Sequence, residues 1–229
     1  MANAFRIYIG WDQREPEAYD VAKFSLERRA SIPVTVTPIK LDELRARGLY
    51  WRDPDPLAST EFTYSRFLTP ALADYRGWAL FCDCDFLWLG DIAGLVEYTR
   101  RPKALYCVQH DYRPTETTKM DGAVQTTYPR KNWSSLMLFN CEHPAVRSLT
   151  PDIVNRESGA YLHRMQWVED NEMGALPLEW NWLEGWNEKP TGGTPKAVHF
   201  TRGGPWFENW QDVVYGDLWR AERDTMQRR

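Results

Sequence analysis

The eight residues from Trp78 to Asp85 (Trp-Ala-Leu-Phe-Cys-Asp-Cys-Asp) constrain this chain more than any others. They begin as a continuous apolar run and stop abruptly at two carboxylates one residue apart. Such a run is what a strand buried on both faces of a parallel sheet looks like. Open α/β sheets bind their ligands beyond the carboxyl ends of those strands. Asp83 and Asp85 are therefore expected in a crevice at the sheet's edge. Two carboxylates this close repel each other, and a divalent cation between them removes the repulsion. Cys82 and Cys84 alternate with the aspartates along the strand and read as small core residues on its opposite side.

The flanking sequence supports a parallel sheet. Phe5 to Ile9 is a β-branched and aromatic run closed by Gly10. Pro16 stands where a helix begins, with Glu15 and Glu17 around it and Arg28 and Arg29 near its end, charges that suit the helix dipole. Residues 32–39 alternate as a second strand. Strand, helix, strand at this spacing is a βαβ unit. Beyond it the patterning predicts a short helix over 41–47, a loop over 50–59, a helix over 61–67, a second helix starting at Pro70 and running over 70–75, a helix over 91–98, and strands at 104–108, 136–139 and 196–200. Two helical segments are expected around 145–155 and 158–167, and a C-terminal helix over 206–229. The polar, Thr-rich stretch 112–130 has no period, and a loop of that length is expected to serve function. There is no internal repeat and no break in composition, so one domain over 1–229 is expected.

Composition excludes several classes. The formal net charge of −4 gives no basic face for nucleic acid. No apolar run reaches 18 residues, so no transmembrane helix is expected, and the first residues lack a secretory signal's apolar core. A cytoplasmic location with four reduced cysteines is the expectation. Twelve tryptophans are unusual for 229 residues. The late group, Trp180, Trp182, Trp186, Trp206 and Trp210, reads either as core and rim packing or as flat plates that stack on apolar ligand faces, those of sugars included.

Three residues make a candidate metal site. Asp83 and Asp85 offer hard oxygens, and His199 ends another predicted strand before a Gly-rich turn. Two carboxylates and an imidazole suit Mn²⁺ or Mg²⁺, with a ligand such as a diphosphate completing the coordination. Arg66, on a predicted helix, is a candidate for a phosphate or a carboxylate.

The order of these features resembles the GT-A glycosyltransferases, and among them glycosyltransferase family 8. The opening strand with Ile9, Gly10 and Asp12 resembles the family's nucleobase-binding start. Ser65-Arg66-Phe67, with Arg66 17 residues before Asp83, followed by Asp83-Cys84-Asp85, resembles its Arg helix and Asp-X-Asp pair. The run from Asn132 to Asn140, with Ser134 and Ser135, resembles its Asn-X-Gly-Val strand beside the donor sugar, although Ser135 stands where the family usually has Gly. His199 and Arg202-Gly203-Gly204-Pro205-Trp206 resemble its closing motif, one residue short and lacking the Lys, so that Arg202 or Lys196 would supply the phosphate contact. Glu169-Asp170-Asn171 resembles its Asp-Gln-Asp.

The resemblance implies an α/β fold: a single GT-A, Rossmann-like domain with a mixed, mostly parallel central sheet flanked by helices. It implies an enzyme that transfers a hexose from a nucleotide-diphosphate sugar, a UDP-sugar above all, to a hydroxyl on a glycan or other acceptor, with retention of anomeric configuration. Asp83, Asp85 and His199 would hold the metal, and Asp170 or Glu169 would serve at the reacting carbon. Ile9, Gly10, Asp12, Arg66, Cys84, Asn132, Ser134, Ser135, Arg202 and Gly203 would line the donor. A role in polysaccharide synthesis fits such an enzyme. Two other readings use the same aspartates: a nucleotidyl- or phosphoryl-transfer enzyme, and a sugar-nucleotide or glycan-binding module without turnover.

Overall fold

The computed structural model describes residues 4–56, 58–111 and 129–229. The expected functional loop over 112–130 lies outside them except for its last two residues. β1 (Phe5–Gly10), α1 (Pro16–Arg29) and β2 (Val34–Ile39) form the expected βαβ unit, with β1 and β2 parallel in register Phe5 to Val34. α2 (Leu41–Ala46) ends before Gly48, whose φ of +65° suits glycine. The helix expected over 61–67 is instead a set of turns followed by a 3₁₀ turn, Ser65–Leu68, while the helix expected from Pro70 is present as the short α3 (Thr69–Leu72). Thr63 explains part of the difference, because its hydroxyl accepts from the Thr60 N–H and competes with helical pairing.

β3 (Trp78–Cys82) is the buried strand that the apolar run predicts, and it pairs parallel to β1. β4 (Phe86–Trp88) follows after three residues, then α4 (Ala93–Val96), β5 (Leu105–Cys107) and β6 (Leu136–Asn140). The helix expected around 145–155 is split into α5 (Pro144–Arg147) and α6 (Pro151–Arg156). Pro151 starts the second of these, and the Thr150 hydroxyl caps it by accepting from the Ile153 N–H. α7 (Gly159–His163) is capped by Ser158 in the same way. β7 (Met173–Ala175), β8 (Trp182–Leu183), β9 (Ala197–His199) and α8 (Gly216–Gln227) complete the order. α8 begins ten residues later than patterning predicts. The chain first turns through Gly203 (φ +143°) and packs Trp206 against Phe200 and Trp219.

Among the described residues the main sheet has six strands in the order β2-β1-β3-β6-β5-β7, and a second sheet has three, β4-β9-β8. In the main sheet only β6 runs against its neighbours, so the sheet is mixed and mostly parallel, as expected. The strands β4, β7 and β8 went unpredicted because runs of two or three residues carry no readable period. α1 contacts β1, β2, β4 and α8, so it joins the two sheets. A large core surrounds the main sheet, and a smaller one, with Val21, Leu87, Trp182, Val198, Phe200 and Trp219, lies at the second. All four cysteines are free and buried. No helix among the described residues is long and apolar enough to cross a membrane.

One ion-pair cluster ties α8 to α1. Glu222 is buried and accepts from Arg28 Nη1 at 3.0 Å and Arg29 Nη2 at 2.8 Å. Hydrogen bonds to a charged group contribute about 1.5–3 kcal/mol each when shielded and less at a partly exposed partner. Glu222→Ala is expected to lower the free energy of urea unfolding by about 1–3 kcal/mol. An unchanged midpoint would show that this clamp contributes nothing.

Candidate metal and donor site

β1, β3, β5 and β7 run the same way, so their carboxyl ends share one edge of the main sheet. β3 delivers Asp83 and Asp85 to that edge. The chain then enters β4, which pairs antiparallel with β9 so that Phe86 faces His199. The Phe200 N–H donates to the Asp85 carbonyl at 3.0 Å and continues this pairing. A second sheet of short strands thus carries His199 to the two aspartates. One ligand atom from each of Asp83, Asp85 and His199 lies within 4.8 Å of the others.

The His199 ring is held on two sides. It stacks on Phe86 with centroids 4.6 Å apart. Its Nδ1 lies 2.9 Å from Asn181 Oδ1. The orientation of Asn181 follows from a chain that ends on a backbone carbonyl. The Ser135 hydroxyl donates to the Asn132 carbonyl at 2.7 Å, so Ser135 Oγ accepts from Asn181 Nδ2 at 2.8 Å. Asn181 Oδ1 is then an acceptor, and His199 Nδ1 must carry the proton. The remaining nitrogen, Nε2, faces Asp85 Oδ2 at 3.3 Å. In neutral imidazole that atom is a lone pair directed at a carboxylate, an arrangement a cation relieves. The donor set and its tautomer therefore fit Mn²⁺ or Mg²⁺.

Arg66 adds a fixed positive charge. It is buried, and its Nη1 donates to Asp83 Oδ1 at 2.8 Å and to the Ser134 carbonyl at 3.0 Å. The guanidinium lies 5.2 Å from both the Phe62 and Phe81 ring centroids. Ser134 Oγ is 2.8 Å from His163 Nδ1, and that ring packs edge-on to Phe67. Cys84 points into the core, as alternation predicts. Burial, and then the carboxylates of Glu15, Asp85, Asp83 and Asp12, push its thiol well above the usual range. All four carboxylates act on this one thiol, and Arg14 and Arg66 pair with two of them.

The other predicted residues fall into three places. Ile9 and Gly10 end β1 on the same edge, and a Cβ on Gly10 would lie 2.4 Å from the Phe62 ring. Asp12 is 0% exposed, and both of its oxygens are engaged by Arg14 and by the Glu61 N–H. Burial opposes its ionisation, but the Arg14 and backbone hydrogen bonds outweigh that and lower its pKa. Asn132 adopts left-handed backbone (φ +67°) and starts the turn that carries Ser134 and Ser135 into β6. Ser135, where the resembled family has Gly, supplies the hydroxyl that orients Asn181. Gly203 follows β9, and Arg202 rests against Gly185, 4.0 Å from Glu184 and over the Trp210 ring.

Glu169 and Asp170 are not brought to the cluster. They lead into the start of β7, where the Ala104 N–H donates to the Glu172 carbonyl. Register places Met173 level with Leu105, Phe139 and Ala79, four residues before Asp83. At about 3.3 Å per residue, that row is already about 13 Å from Asp83. The Asp170 side chain is 81% exposed and pairs with Arg130. Lys196 is likewise committed elsewhere, to Glu179 at 2.8 Å. Of the late tryptophans, Trp180 and Trp182 are buried core, while Trp186 is exposed.

Sequence reading missed Asn181, His163 and His110. His110 lies beyond the carboxyl end of β5, so the edge rule that found Asp83 also applies to it. Asn181 carries no such signal, because its role depends on a side-chain chain formed only in the fold.

The same fold occurs in the glycosyltransferase GlyE of Streptococcus pneumoniae (TM-score 0.66, 14% identity, covering 99% of this chain and 62% of that one). It also occurs in the bifunctional glycosyltransferase WbbM (TM-score 0.65, 15% identity, 100% and 52%). A third example is the galactosyltransferase LgtC solved with donor and acceptor sugar analogues (TM-score 0.59, 11% identity, 96% and 96%). This chain spans less than two thirds of the first two. Its architecture is that of the GT-A glycosyltransferases. No protein-family model matches the chain. It is 57% identical over 223 residues to Protein CDI of Arabidopsis thaliana, covering 96% of this chain and 86% of that protein, and it belongs to the same family.

Loss of hydration, and then the charge of Arg66, lower the pKa of His163 from 6.5 to about 3. A base whose folded pKa is depressed favours the unfolded chain once protons are available. Its contribution is complete above about pH 6.5 and is lost as pH falls toward 3, at up to about 1.4 kcal/mol per pH unit. His163→Phe is expected to reduce the fall in unfolding free energy between pH 7 and pH 5, measured by urea titration at each pH.

Proposed function

We propose that this protein transfers a sugar from a nucleotide diphosphate, a uridine one, to an acceptor hydroxyl, with retention at the anomeric carbon. The observation that carries the reading is the convergence of Asp83, Asp85 and His199 within 4.8 Å, with Arg66 2.8 Å from Asp83. Mn²⁺ or Mg²⁺ bound there supplies charge that stabilises the leaving diphosphate. Asp83, Asp85 and His199 would hold it, and Asn181 keeps His199 in the ligating tautomer. Arg66, anchored by two backbone carbonyls, offers the departing phosphate a cation that needs no rearrangement. The bond from the anomeric carbon to the phosphate breaks, a bond to the acceptor oxygen forms on the same face, and the acceptor's proton passes to the leaving phosphate.

The nucleoside belongs on the β1 side. A cavity of ≈ 280 Å³ there is lined by Gln13, Arg14, Tyr50, Asp53, Glu61 and Tyr64 among others. Arg14 and Glu61 are also the residues that engage Asp12, so Asp12 acts by shaping that wall. The sugar then extends over β6, past Asn132, Ser134 and Ser135. Supply of sugar to a polysaccharide is the process we propose for it.

The protein is expected to gain thermal stability with UDP in the presence of Mn²⁺, and to lose that gain with EDTA or in Asp85→Ala. Absence of any metal-dependent shift with any nucleotide or nucleotide-sugar would overturn the reading. Asn181→Ala tests the tautomer lock. It is expected to weaken Mn²⁺ binding about 10- to 100-fold, measured by calorimetry, while Asp83 and Asp85 remain in place.

A further inference from the structure

His110 is not among the residues of the Asp83, Asp85 and His199 cluster. It lies three residues beyond β5 and is only 8% exposed. Its Nε2 is buried and has no hydrogen-bond partner among the described residues. A buried imidazole nitrogen left this way is unfavourable, and native proteins rarely keep one without a use. Its place is well defined. Register puts Cys107, the last residue of β5, level with Phe81, two residues before Asp83. Trp133 Nε1 donates to the His110 carbonyl at 2.9 Å, which fastens this residue to the turn bearing Ser134 and Ser135. Burial, and then the neighbouring His199, lower the His110 pKa to about 3. The ring is therefore neutral at physiological pH and offers one donor and one acceptor, the pair a hydroxyl matches.

Strand order selects which hydroxyl. The nucleoside cavity lies at β1 and the metal ligands follow β3, so the part of the donor beyond the diphosphate extends toward β6 and β5. His110 stands at the end of β5, on the side away from the nucleoside. We infer that His110 Nε2 hydrogen-bonds a ring hydroxyl of the transferred sugar and so selects which sugar the site accepts. This rests on the glycosyl-transfer reading above. Asn132 Nδ2, also buried and unpartnered among the described residues, lies one residue from Trp133 and faces the same choice of ligand class. Asn132 Nδ2 can only donate, and a sugar hydroxyl can accept from it while also pairing with the His110 ring.

The test compares two probes on the full chain with Mn²⁺: UDP, which has no sugar, and a panel of UDP-hexoses. His110→Phe keeps an aromatic ring but removes the hydrogen bond. It is expected to leave the Kd for UDP within about twofold and to raise the Kd for the preferred UDP-hexose about 10- to 100-fold. His110→Gln, which restores a hydrogen-bonding group, is expected to recover part of that loss. UDP affinity also reports that each variant is folded. Equal losses for UDP and UDP-hexose in both variants, or no loss for either, would overturn the inference while leaving the donor site standing. If the unaltered protein bound neither probe, the glycosyl-transfer reading would fall, and this inference with it.

Discussion

Everything at this site depends on a three-residue antiparallel pairing. Phe86–Trp88 lies against Ala197–His199, with Phe86 opposite His199. Without it the two aspartates would end a strand with no third ligand. A ladder this short is not stable alone. It is held because Leu87 and Val198 are buried with Val21 and Trp219, and because the Trp88 N–H donates to the Ser25 hydroxyl at 3.1 Å. The helices α1 and α8 therefore fix the geometry of a site that they do not line.

The site also concentrates negative charge. Asp12, Glu15, Asp83 and Asp85 all influence one thiol, that of Cys84. The protein answers with two arginines placed differently. Arg14 engages Asp12 at the nucleoside side, and Arg66 engages Asp83 from inside the core. Breaking a shielded pair leaves an uncompensated charge, which costs more than the pair itself contributes. Arg66 is further bound to two backbone carbonyls and set between aromatic rings, so it stays in place whether or not Asp83 turns toward a cation.

Much of this was legible in the residues. The βαβ opening, the buried strand ending in Asp83 and Asp85, and the pairing of both with His199 follow from patterning and from family resemblance. What escaped depended on short strands and on contacts between distant segments. β4 and β8 are too short to show a period, yet they position Asp85 and lead out of Asn181. Glu169 and Asp170 show the converse. Adjacent carboxylates in the expected order looked like a catalytic motif, but β7 begins immediately afterwards and holds them at the far end of the sheet.

The chain from Asn132 through Ser135 and Asn181 to His199 has a direction that cannot be reversed, because a backbone carbonyl terminates it. Position 135 must therefore both donate and accept, and position 181 must do the same with its two amide atoms. A glycine at 135 would free the Asn181 amide to rotate and remove the contact that orients it toward His199. Over evolutionary time the two positions are consequently expected to drift as a linked pair, although 46 residues separate them. Within this lineage, a change at one should mark a change at the other.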